Sequence, residues 1–110
     1  MLTNELTERG TAMYVVVQHQ IKNPETAFQR GERLMYGDGA PDQVHVVQFY
    51  PSQDQSKVTC LFEADSVDSV QDWVDATLGD SSDNLCYPVA EEPAFAERPL
   101  GLQATPKVRT

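Results

Sequence analysis

The chain has 110 residues, 17 acidic against 8 basic side chains, and a formal net charge of -9. This length predicts one domain, small enough that burying more surface by dimerising adds to its stability. The acidic balance excludes phosphate-backbone recognition, which rests on clustered Lys and Arg, because the eight here are scattered.

The opening MLTNELTERG has neither a basic n-region nor an apolar run, and no stretch of roughly 18 apolar residues follows. The expectation is a cytoplasmic protein with no membrane and no nucleic-acid partner. A polar lead over residues 1–12 gives way to MYVVVQHQ, residues 13–20, whose β-branched density predicts a first strand. Asn23 then offers a cap oxygen, Pro24 needs no donor at the first helical position, and Glu25 suits the first turn. The apolar stripe Ala27, Phe28, Leu34 and Met35, with Gly31 between, ends at GDGAPD.

QVHVVQFY, residues 43–50, predicts a second strand, and residues 51–56 form a polar turn into the alternating third, KVTCLFEA, residues 57–64. Asp65 or Ser66 caps the next segment, where Val67, Val70, Val74 and Leu78 recur at offsets of 3, 4 and 4 before Gly79. Residues 84–90 predict a fourth strand, at a sheet edge because Pro88 lacks a donor. Pro93, Pro99 and Pro106 make residues 91–110 an irregular arm. The order βαββαβ predicts an α+β, ferredoxin-like domain over residues 13–90, with two helices on one face of an antiparallel sheet ordered 4-1-3-2.

Strand alternation sorts the side chains. Val15, Val17, Val47, Phe49, Val58, Cys60 and Phe62 are expected under the helices. Tyr14, Val16, Gln18, Gln20, Val46, Gln48, Tyr50, Thr59, Leu61 and Glu63 then fall on the opposite face, which mixes apolar and hydrogen-bonding groups as a ligand pocket does. A half-solvated sheet or a ligand-free dimer interface would use the same pattern.

KVTCLFEA with the Ser/Asp-rich helix start after it, residues 57–70, resembles the third-strand signature of a small family of uncharacterised proteins similar to nickel-responsive proteins. More broadly, the chain resembles the dimeric α/β-barrel superfamily with its ferredoxin-like protomer. It departs from the small family in having Gln18 and His19 at an acidic-basic pair and Gln48 at a basic position. The wider resemblance implies a homodimer with its sheets face to face, and a pocket either between sheet and helices or within the barrel. Members serve as monooxygenases, isomerases, haem-degrading enzymes or binding proteins, and fold alone does not choose among them.

The candidate chemistry is sparse. In the expected strand order Cys60 and Cys86 lie two strand spacings apart, about 9 to 10 Å, beyond disulfide reach. His19 and His45 belong to opposite ends of the sheet, and no His or Cys spacing matches a metal motif, so each is expected at a rim or satisfied by solvent. Glu63 is the candidate general acid or base, either raised in pKa by an enclosed pocket or held as a strand-end carboxylate in an ion pair. Trp73 flanks the apolar stripe as core, and neither a phosphate-cradling loop nor a cofactor fingerprint occurs. The expectation is a homodimer that binds a small, largely apolar ligand, a carboxylate or carbonyl head being one form of it, with no cofactor and no metal site. Tyr14, Val16, Gln18, Val46, Gln48, Tyr50, Leu61 and Glu63 are its expected contacts. The alternatives are a cofactor-independent isomerase or monooxygenase using Glu63 and a tyrosine, and a metal-responsive binding protein.

Overall fold

The first strand, β1, runs over Met13–Ile21, and the backbone then turns into helix α1, Pro24–Tyr36. A computed structural model describes residues 12–97 of the chain; the lead through residue 11 and the arm from residue 98, with Pro99 and Pro106, lie outside it. Asn23 caps α1 as its sequence predicts, its side chain accepting from the Thr26 amide at 3.2 Å. At the other end Gly37 takes φ 74°, a left-handed conformation that lets its amide reach back to the carbonyls of the last turn.

β2, His45–Pro51, and β3, Lys57–Ala64, form the expected hairpin. In its turn, Asp54 accepts from Ser52 Oγ at 2.8 Å, Ser56 N at 3.0 Å and Ser56 Oγ at 2.7 Å. Those donors stabilise its charged form and hold its pKa down at about 2. Ser66 caps helix α2, Val67–Leu78, through the Ser69 amide at 3.0 Å, and a single 3-10 turn, Gly79–Ser81, leads into β4, Ser82–Pro88. The alternation of KVTCLFEA thus gives way to the 3-4-4 spacing of Val67, Val70, Val74 and Leu78 at the β3 to α2 junction.

The sheet order is β2-β3-β1-β4 with every neighbouring pair antiparallel, which makes this an α+β, ferredoxin-like fold. Pro88 sits on β4, an edge strand that pairs with β1 alone, so its missing donor costs no ladder bond on the outer side. The core lies between the sheet and the two helices. Val15, Val17, Val58, Cys60 and Phe62 rise from the sheet to meet Leu34 of α1 and Val70, Trp73, Val74 and Leu78 of α2. Trp73 is core, as expected, with its ring edge-on to Phe62 at 6.2 Å between centroids and 88° between planes.

One strand departs from simple alternation. Val46 is paired with Phe62 and Gln48 with Leu61, so Val47 is an extra residue bulged out of β2. Directly opposed residues share a face. Val46 therefore lies with Phe62 under the helices, 4% exposed, and not on the opposite face where alternation put it. Val47, expected under the helices, is the half-buried bulge itself. Beyond the bulge the expected phase holds, with Phe49 opposite Cys60 and Tyr50 opposite Thr59.

Candidate functional site

The sheet face turned away from the helices is organised in cross-strand rows. His45, Glu63 and Tyr14 form one, Gln48, Leu61, Val16 and Tyr87 the next, and Tyr50, Thr59, Gln18 and Leu85 a third. Seven of the eight residues expected as ligand contacts are thus neighbours on this open face, and Val46 is the exception. Leu85 is 61% and Tyr87 40% exposed, and Gln18 Nε2 donates to the Tyr87 hydroxyl at 3.3 Å. Glu63 Oε1 lies 3.2 Å from His45 Nε2, a strand-end contact that is an ion pair when the imidazole is protonated.

A half-open apolar pocket lies on the other side of the sheet. A cavity of about 190 Å³ opens between the sheet and α1. Phe28, Leu34 and Met35 wall it from the helix, Val58, Cys60 and Phe49 from the sheet, and Leu78 from α2, with Ile21 at one end. None of the eight expected contacts lines it. Between its larger side chains α1 also presents the small Ala27 and Gly31 to the space. A Cβ built on Gly31 would reach Leu78 Cδ2 at 3.8 Å, ordinary contact distance.

His19 is the one polar side chain buried in that wall. It continues the parity of Val15 and Val17, so it faces the helices and is only 5% exposed, not held at the rim by solvent as its strand-end position suggested. Its Nδ1 lies 2.7 Å from Asn84 Oδ1, across the β1–β4 pair in which the two are partners. Asn84 is itself fixed: Oδ1 also accepts from Ser82 Oγ at 2.7 Å, and Nδ2 donates to Asp75 Oδ1 at 2.9 Å. Gln71 Nε2 closes the chain with bonds to Asp75 Oδ2 at 3.1 Å and to the Asn84 carbonyl at 2.9 Å. Burial lowers the His19 pKa, because the charged imidazolium loses water, and the Asn84 bond and the Asp75 charge oppose this more weakly.

The family described as a domain of unknown function (DUF3303) matches residues 13–97, from the first residue of β1 to the last described position. The chain belongs to this family. No curated protein and no solved structure gives a match.

Within this DUF3303 domain both thiols are free. Val17 is the register partner of Cys60 on one side and of Cys86 on the other, so a whole strand separates the two sulfurs. Burial pushes the Cys60 thiol up to about 12 and the Cys86 thiol to about 11, so neither is a ready nucleophile. The histidines are also apart. His19 is the partner of Val58 and His45 of Glu63, five positions along β3 and roughly 16 Å at strand rise. Among the described residues no three His, Cys, Asp or Glu side chains gather as a metal site, and no helix is long and apolar enough to cross a membrane.

Proposed function

We propose that this protein binds a small, largely apolar molecule in the cavity between the sheet and α1, and does so as a homodimer of the α/β-barrel type. One observation carries the reading: a half-open apolar cavity of about 190 Å³ with a single buried polar side chain at its wall. An apolar cavity of roughly 150 Å³ accepts benzene, so this one takes a monocyclic aromatic or a short branched chain. Convergence of an apolar wall on one fixed polar group is the usual plan of a small-molecule site.

The homodimer rests on the open face. Val16, Leu61, Leu85 and Tyr87 make an apolar field across three strands, while both helices are committed to the opposite side. A second copy of the same face is self-complementary about a two-fold axis, and the resemblance to dimeric barrels favours that arrangement.

Titrating isotope-labelled protein with toluene tests the cavity reading. Shifts at Met35, Leu78 and Val58 support it, and their loss in Ala27→Leu, whose longer side chain enters the cavity, secures the location. Saturable shifts confined to Val16, Leu61 and Tyr87 would move the ligand to the open face, and no saturable response at all would remove the reading.

A second reading has a specific observation behind it. Glu63 lies between His45 and Tyr14 in one cross-strand row, so a carboxylate, an imidazole and a phenol adjoin on the open face. A partner sheet closing over that row would exclude water, as proton transfer by Glu63 and Tyr14 in a cofactor-independent isomerase or monooxygenase requires.

A further inference from the structure

The hydrogen bonds behind His19 leave its tautomer no freedom. Asp75 is a carboxylate and accepts only, so the Asn84 amide must turn Nδ2 toward it and Oδ1 toward His19 and Ser82. An amide oxygen also accepts only. The hydrogen on the neutral imidazole is therefore on Nδ1, and Nε2 carries a lone pair.

The direction of that lone pair follows from the strand order. Nδ1 is turned to β4, and the second nitrogen of an imidazole leaves the ring at a wide angle from the first. Nε2 therefore leaves the ring on the side away from β4, and the His19 side chain is part of the wall of the cavity that Val58, Cys60 and α1 also line. Among the described residues Nε2 has no hydrogen-bond partner, although the side chain is 95% buried. A buried acceptor left unmatched is costly, which makes it the polar group a ligand would satisfy.

We infer that the cavity selects neutral apolar molecules bearing one hydrogen-bond donor, a hydroxyl above all, which donates to His19 Nε2. This rests on the cavity reading and sharpens it. The carbonyl or carboxylate head suggested by the sequence does not suit this acceptor: neither group donates, and a carboxylate would also face Glu32 at the cavity wall and Asp75 behind the ring. Low pKa and fixed tautomer act together, because burial keeps the ring neutral and the Asn84–Asp75 chain keeps the lone pair on the cavity side.

The test uses three probes on one skeleton with the full-length protein: p-cresol, its methyl ether 4-methylanisole, and 4-methylbenzoate. Calorimetry on the parent and on His19→Phe gives a cycle in which the cresol-to-anisole affinity ratio falls roughly fivefold, the worth of one neutral hydrogen bond, with 4-methylbenzoate weakest throughout. Nitrogen NMR of the parent needs no variant. It should show His19 protonated on Nδ1 before any ligand is added, and an Nε2 resonance that moves with p-cresol and not with 4-methylanisole. A hydrogen on Nε2, or equal responses to cresol and anisole, overturns the donor selection while leaving the cavity as a binding site. Failure of all three probes to bind overturns both.

Discussion

His19 and Asn84 are cross-strand partners joined by a 2.7 Å side-chain hydrogen bond, and the bond ties the only buried imidazole among the described residues to a chain ending at the exposed Asp75. A first consequence is a pH dependence of stability. The folded-state pKa of His19 lies below its ordinary value of 6.5, so as pH falls through that value the unfolded chain takes up a proton that the folded one refuses. Stability is therefore complete above the ordinary value and is lost below it, with a slope approaching about 1.4 kcal/mol per pH unit until the folded ring titrates. The Asn84 hydrogen bond and the Asp75 charge from α2, which oppose the effect of burial, set where that loss stops; Glu32 from α1 and Lys57 and Asp83 at the sheet end line the same spaces as the ring. Urea unfolding between pH 7.5 and 5 should show the slope in the parent and a flatter line in His19→Phe. Asp54 acts in a separate range: held down at about 2, it contributes stability that is lost only as pH falls from its ordinary value toward that figure.

Two glycines should respond in opposite directions to alanine. Gly31 is inside α1, and its new methyl would meet Leu78 Cδ2 at 3.8 Å, so Gly31→Ala should gain up to about 1 kcal/mol from helix propensity. Gly79 has φ 57° and ψ -136°, and a Cβ there would come within 3.0 Å of Arg30 Nη1. That guanidinium is already bonded to the Leu78 carbonyl at 2.9 Å, so Gly79→Ala strains the backbone and disturbs the α1–α2 tie at once. A loss of about 1 to 3 kcal/mol is expected, and thermal unfolding of the two variants beside the parent measures both signs.

Much of this frame is legible in the residues before any coordinates. Asn23-Pro24-Glu25 announces α1 and Gly37 ends it, while Ser66 and the 3-4-4 spacing of valines and Leu78 announce α2 out of β3. The bulge is different. Val46 and Val47 are the same residue type, so composition carries no mark of which one is buried, and the choice is made by pairing with Phe62 on another strand. His19 is an intermediate case. Its parity with Val15 and Val17 points under the helices, but its satisfaction depends on Asn84, 65 positions away, which only the β1–β4 register supplies. A pocket between sheet and helices is one of the two places the resemblance implies, but its lining is not legible, because Ala27 and Gly31 contribute to it through missing side-chain volume, which has no periodicity.

Glu63→Gln separates the two faces. The His45 and Glu63 side chains are 56% and 21% exposed, so their ion pair is partly screened and its removal should cost under about 1 kcal/mol. The cavity lies across the sheet from Glu63, so p-cresol affinity should stay within about twofold of the parent, a difference of under roughly 0.5 kcal/mol. Calorimetry beside thermal unfolding reads both quantities. Lost binding with unchanged stability would assign the ligand to the open face and revive Glu63 as its proton-handling group.

Leu61→Lys tests the dimer. Leu61 is half-buried at the centre of the open face, flanked by Gln48 on one strand and Val16 on the other, while Phe62 and Cys60 beside it in sequence point into the core. A lysine there can extend over an open sheet into water, so the protomer keeps its core and its β3 pairing. In a two-fold dimer the same substitution brings two ammonium groups into one interface, which is costly in desolvation and repulsion together. Sedimentation should therefore show a dimer for the parent and a monomer for Leu61→Lys at the same micromolar concentration, with circular dichroism and p-cresol binding retained. A parent that sediments as a monomer would mean that Val16, Leu61, Leu85 and Tyr87 meet solvent or a different partner, and the barrel arrangement would be withdrawn while the cavity between the sheet and α1 stands.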